Sequence, residues 1–158
     1  MTARPVPGPV VLAMALAPRL GGLDWAIGGS SLLWRLGIEP APQDLDLVTT
    51  PAHFDSLCAT VTRQLGPGTR PPHDHCASAH FRRFSAASGT GVDVMAGIRV
   101  RRGTELLPWH FDPSRTQHID GLPWMPPSDW LALYALFDRP GRVAQLQAVL
   151  STFPTAPP

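Results

Sequence analysis

Asp44 and Asp46 are separated by one leucine in the run Asp44-Leu45-Asp46-Leu47-Val48, where acidic and apolar residues alternate. Side chains on a strand point to opposite faces in turn, so the two carboxylates share one face roughly 6.6 Å apart while the leucines enter a core. Upstream, Gly28-Gly29-Ser30-Ser31 can take backbone angles closed to other residues. It opens a helix whose free N–H groups and positive dipole end suit a phosphate. A third acid, Asp93, alternates with Val92 and Val94, so it turns away from a valine core and reaches the first pair if the two strands are neighbours. Carboxylates about 4 Å apart repel by about 1 kcal/mol in water and about 4 kcal/mol at an effective dielectric of 20, a cost that a divalent cation removes. Magnesium prefers oxygen ligands and completes its shell with waters and substrate phosphates.

The order of these pieces carries a resemblance. An apolar residue, a Gly-Gly or Gly-Ser turn and then, about a dozen residues on, Asp-x-Asp is the signature of the DNA polymerase β-type nucleotidyltransferases, and this chain resembles a small, minimal or antibiotic-modifying member. Ile27-Gly28-Gly29-Ser30 supplies the turn, Asp44-Leu45-Asp46-Leu47 the metal-binding strand, and Gly91-Val92-Asp93-Val94-Met95 the later strand with the third carboxylate. The likeness covers about residues 20–100. It implies Asp44, Asp46 and Asp93 as metal-binding and catalytic residues with Mg²⁺ or Mn²⁺, and Gly28, Gly29, Ser30 and Ser31 as the nucleotide cradle. Arg35, on the same short helix, is a candidate for the triphosphate. The implied reaction moves a nucleoside monophosphate from an NTP, ATP included, to a hydroxyl and releases pyrophosphate. The implied scheme uses two ions about 3.5 to 4 Å apart.

The elements that must position these residues are legible in outline. A first helix is expected over 9–20, with Leu12, Leu16 and Leu20 on one face and Gly21-Gly22 as its stop. Further elements are a strand over 24–27, a helix over 30–36, the acidic strand over 44–48 and a helix ending near Leu65. Ser88-Gly89-Thr90-Gly91 marks a hairpin joining antiparallel strands 80–86 and 91–96, with Ala79, Phe81 and Phe84 inward and His80 and Arg82 outward. A strand over 98–100 follows, and residues 103–127 read as irregular. Two helices, over 129–137 and from Pro140 to about Leu150, precede a proline-rich tail. The expected fold class is α/β or α+β: a small, mixed, twisted sheet with helices packed on it. We expect one domain, with 1–127 carrying the catalytic part and 128–158 packed against it.

Other residues have competing readings. Trp34 packs or stacks on a base; Arg99, Arg101 and Arg102 form a solvated edge or touch phosphate; Arg115 and Trp124 are candidates for the second-substrate pocket. His73, His75, Cys76 and His80 are a rival constellation for zinc, at a spacing wrong for the common fingers. Two cysteines, Cys58 and Cys76, make no disulfide framework, which fits a reducing, cytoplasmic setting. The apolar run over 9–17 superficially resembles a signal peptide, but it contains Pro9 and leads straight into the glycine motif, so a first helix is the simpler reading. Nothing approaches the length of a membrane span. The net charge is +1, and all 13 basic residues are arginine. With no broad basic surface, a nucleic-acid acceptor is not expected. The acceptor is then a small molecule or a protein, and a partner protein or second copy remains open. An inactive nucleotidyltransferase fold serving as an antitoxin-like binding module is the alternative.

Overall fold

The computed structural model describes residues 3–72 and 77–152. His73, Asp74, His75 and Cys76 lie outside the described residues, so the zinc reading goes no further. The chain runs α1 (Gly8–Leu16), β1 (Trp25–Gly28), α2 (Gly29–Arg35), β2 (Asp44–Thr49), α3 (Phe54–Leu65), β3 (His80–Ser85), β4 (Gly91–Ala96) and β5 (Ile98–Arg102). It continues through β6 (Glu105–Trp109), β7 (Gln117–Ile119), β8 (Leu122–Trp124), α4 (Pro127–Leu136) and α5 (Pro140–Thr152). Six strands form a mixed sheet in the order β3-β4-β2-β1-β8-β7, and β5 and β6 form a separate hairpin. The expected α+β class, with helices on a mixed sheet, is what the chain adopts.

Register decides which side chains meet. β2 pairs parallel with β4, placing Asp46 beside Asp93, and β4 pairs antiparallel with β3, placing Asp93 beside Arg83. Residues directly opposite share a face, so Asp46, Asp93 and Arg83 form one row across three strands. The other face carries Leu45, Leu47, Val92 and Val94, all fully buried. α1 and α3 cover that face. In α3, Phe54, Leu57 and Val61 recur at helical spacing and are buried, which is why this stretch is a helix with one apolar stripe. Thr49 Oγ1 donates to the Asp24 carbonyl at 2.6 Å and ties the end of β2 to the start of β1.

Several expectations need correction. The first helix stops at Leu16 and tightens into a 3₁₀ turn over Ala17–Arg19, because Pro18 cannot continue the ladder. Residues 103–127 are not irregular throughout. The left-handed Gly103 lets β6 fold back on β5, and Pro108 and Pro123 are tolerated in short strands at positions where no ladder donor is required. In β3, Phe81 and Phe84 are both buried in the core, as expected, but on opposite faces of the strand, since their numbers differ in parity. Phe84 faces α3, together with His80, whose ring lies 5.1 Å from that of Phe54. Phe81 faces the opposite side, with Arg83.

A fully buried leucine on the covered face should be costly to shorten. Leu47→Ala should lower unfolding free energy by about 2–5 kcal/mol, whereas Leu106→Ala, at a site 41% exposed, should stay within about 0.5 kcal/mol. Urea denaturation of the two variants checks this, and equal losses would mean that the covered face is misplaced.

Candidate active site

The open face of the sheet forms one wall of a cleft of about 410 Å³, lined by Gly29, Ser30, Asp44, Asp46, Arg83 and Asp93 from the strand and turn side. The opposite wall comes from α4 and α5 and the turn between them, through Trp130, Leu133, Tyr134, Phe137, Arg139 and Arg142. All three sequence-predicted acids therefore meet in one place. The strand register alone achieves this, because Asp44 and Asp46 share a face of β2 and Asp93 is opposite Asp46.

The glycine turn is specified by what touches it. Gly29 has φ +60°, a left-handed conformation, and a Cβ added there would fall 1.8 Å from Asp46 Oδ2. Backbone strain and the carboxylate together exclude any side chain. At Gly28, opposite Asp46 on β2, an added Cβ would lie 2.4 Å from the Trp130 ring, so this glycine admits the indole of α4, which stands between it and the cleft. Ser30 lines the cleft, its hydroxyl 3.4 Å from the Asp44 carbonyl. Ser31 is fully buried, and its hydroxyl donates to the same carbonyl at 3.2 Å, so its observed contact clamps α2 to β2.

Arg35 is not brought to the acids. Its guanidinium lies 5.2 Å from the Trp124 ring centroid, in a separate groove with Val10, Met14 and Ile119. Burial pulls its pKa down, and Nε has no hydrogen-bond partner. Trp34 lines that same groove, and Trp124 is buried against β1, so neither contributes to the cleft. Arg115 holds Asp129 at the start of α4, with contacts of 2.8 to 3.2 Å. Their positions follow from helix and strand phase: the face of α2 that carries Arg35 points toward α1 and β8.

Arg83 is the residue that sequence reasoning missed. It forms a two-pronged ion pair with Asp93, Nε to Oδ1 at 2.7 Å and Nη2 to Oδ2 at 2.9 Å. Fixing the hairpin register from the Ser88–Gly91 turn would have found it, since Arg83 is the residue opposite Asp93. Arg139 and Arg142 were also missed. Arg142 reaches Glu39 at 3.0 Å, and the positive charge of Arg139 acts on Asp46. Trp130 and Tyr134, assigned to core packing, are buried but also line the cleft.

Among the described residues, no group of three His, Cys, Asp or Glu side chains is poised as it stands to hold a metal ion. Both Asp93 oxygens are turned to Arg83. The donor set still fits a hard divalent cation, because carboxylates of two adjacent strands share one open face and carry an electrostatic debt. Burial first, then the charges of Asp93 and Asp44, push the Asp46 carboxyl up to about 7. A cation in this row would draw it back down.

A carboxyl whose folded pKa exceeds its unfolded value near 4 binds more protons when folded, so its cost is absent below about pH 4 and grows as pH rises toward 7. In metal-free protein, Asp46→Asn should therefore stabilise the fold at pH 8 by about 1–4 kcal/mol, and the gain should vanish near pH 4. Thermal melts of both proteins across this range provide the check; a difference independent of pH would contradict the burial of this charge.

Neither a protein-family model nor a curated protein matches the chain in sequence. In three dimensions it is similar to the crystal structure of a candidate nucleotidyltransferase from Thermotoga maritima, with a TM-score of 0.66 and 17% identity, covering 91% of this chain and 93% of that one. Identity that low speaks for the fold, and the alignment takes in nearly the whole of both chains. The chain has a nucleotidyltransferase-like fold.

Proposed function

We propose that this protein is a metal-dependent nucleotidyltransferase that moves a nucleoside monophosphate from an NTP to a hydroxyl of a small molecule or protein. The observation that carries the reading is the row Asp46, Asp93, Arg83, with Asp44 two residues along β2 and the left-handed Gly29 pressed against the Asp46 carboxylate. A purely structural sheet has no use for three acids on an open face beside a turn that no side chain can enter.

In this reading the acceptor oxygen forms a bond to the α-phosphorus, the bond from that phosphorus to the α–β bridging oxygen breaks, and pyrophosphate leaves. Asp44 and Asp46 would hold Mg²⁺ or Mn²⁺, with Asp93 completing the ion nearest the acceptor, and the metal would neutralise phosphate charge and favour the attacking hydroxyl. Ser30 and the Gly29 backbone are placed for the triphosphate, with Arg139 and Arg142 across the cleft to share its charge. Asp93 takes the acceptor proton once Arg83 releases it, a task a carboxylate performs within hydrogen-bond reach. The apolar wall of Trp130, Tyr134 and Phe137 excludes water from the phosphates and offers flat surface to a base.

One observation favours a different reading. With both Asp93 oxygens held by Arg83, the fold balances its own charge and could serve as an inactive binding module. Two measurements separate the readings. Mg²⁺-dependent stabilisation by NTP is expected, about 2.7 kcal/mol at 100 times Kd, and its absence with both Mg²⁺ and Mn²⁺ would defeat the transferase reading. Asp93→Asn should keep most NTP affinity but lower turnover at least about a hundredfold, while Asp44→Asn and Asp46→Asn weaken both. Transfer by Asp93→Asn at the wild-type rate would remove this residue from the chemistry.

A further inference from the structure

A second pocket, of about 420 Å³, adjoins the cleft and shares Pro72 and Phe81 with it. Three of its lining residues are arginines, Arg70, Arg99 and Arg101, and none of the described lining residues is acidic. Arg99 Nε donates to the Ala77 carbonyl at 2.8 Å and Arg70 Nη2 to the Ser78 carbonyl at 3.3 Å. Each contact uses one of a guanidinium's five donors, and a neutral carbonyl does not cancel the charge. None of the three has an ion pair among the described residues, in contrast to Arg83, Arg115 and Arg142. Like charges gathered around one hollow repel each other, and an anion seated among them relieves the repulsion.

Position relates this pocket to the chemistry. Phe81 separates the two hollows, and Arg83 follows it two residues along the same face of β3, directly opposite Asp93. Two strand residues span roughly 7 Å. A compound anchored by an anion beside Phe81 thus needs only a short body to bring a hydroxyl to Asp93. The positive surface does not continue as a track for a polyanion. Arg102, next along β5, lies on the opposite face of that strand from Arg99 and Arg101 and donates to the Ala135 carbonyl at 2.8 Å, and Arg82 lies on the other face of β3, toward α3.

We infer that Arg70, Arg99 and Arg101 seat the phosphate of the acceptor, a small phosphorylated hydroxyl compound, whose free hydroxyl then reaches Asp93; this rests on the nucleotidyl-transfer reading. It selects against cationic acceptors, which the three arginines repel, and against uncharged ones, which leave the arginines uncompensated.

The test uses the full chain, with inorganic phosphate and glucose 6-phosphate as probes and glucose as the uncharged control, measured by calorimetry with the NTP site saturated by Mg²⁺ and a non-hydrolysable NTP and again without nucleotide. Both phosphates should bind and glucose should not. The double variant Arg70→Gln/Arg101→Gln should weaken phosphate binding at least about tenfold and leave the Mg-NTP melting shift unchanged. Arg101→Gln alone, at an exposed residue, should fold and show part of the loss. In transfer assays with labelled NTP and a metabolite extract, label should enter phosphorylated small molecules, with KM raised and kcat nearly kept in the double variant. Equal phosphate affinity in wild type and double variant overturns the inference, as does label confined to RNA ends or to uncharged or cationic acceptors. If Mg-NTP gives no shift while phosphate binding still depends on the arginines, the transfer reading falls and the anion site stands.

Discussion

The parallel pairing of β2 with β4 sets two carboxylates, Asp46 and Asp93, side by side on the face that lines the cleft. Much of the surrounding structure is arranged by that contact. Asp46 occupies the space where a side chain at position 29 would lie, so the turn must be glycine and left-handed there. Position 28 must also lack a Cβ, because Trp130 packs onto it and brings α4 over the end of β1. The docking of the C-terminal helices and the shape of the cleft thus follow from two glycines and one acid.

The two faces of the sheet divide stability from chemistry. Leu45, Leu47, Val92 and Val94 alternate with Asp44, Asp46, Asp93 and Met95, so each strand feeds a dry core and the cleft at once. A one-residue slip in either strand would bury the acids and expose the leucines or valines, and the size of that penalty fixes the register. This is why a functional row can be both costly, as the raised pKa of Asp46 records, and reliably placed. The core on the other face offsets the cost.

The same division explains what could be read from the chain before its structure was known. Asp44, Asp46, Asp93 and the Gly28-Gly29 turn were legible because strand alternation is a local rule and turn glycines announce themselves. The hairpin of β3 and β4 was legible for the same reason. Arg83 was not, since its role depends on cross-strand register and no local pattern distinguishes it from Arg82. Arg35 misled because proximity in sequence to the turn does not set helix phase: on α2, the side chain six residues after Gly29 points to the groove with Trp124. β6 and β8 were hidden by their prolines and β7 by its three-residue length, features that signal loop in any local reading, although Pro108 and Pro123 each sit where the ladder needs no donor.

Arg83 has the most to say about how such a site waits for its ligands. Asp44, Asp46, Asp93 and Arg83 share one wall of the cleft and Arg139 and Arg142 face them from the other, so three guanidiniums offset three carboxylates. The cations are differently engaged: Arg142 is tied to Glu39, whereas Arg83 is about half exposed and is paired with Asp93 inside the cleft. Under the proposed function, Asp93 would turn to the bound metal and Arg83 to a phosphate of the NTP. One ion pair is then exchanged for two, and neither charge is left unpaired in the cleft, which is the arrangement that makes opening the Arg83–Asp93 contact affordable only when both ligands arrive.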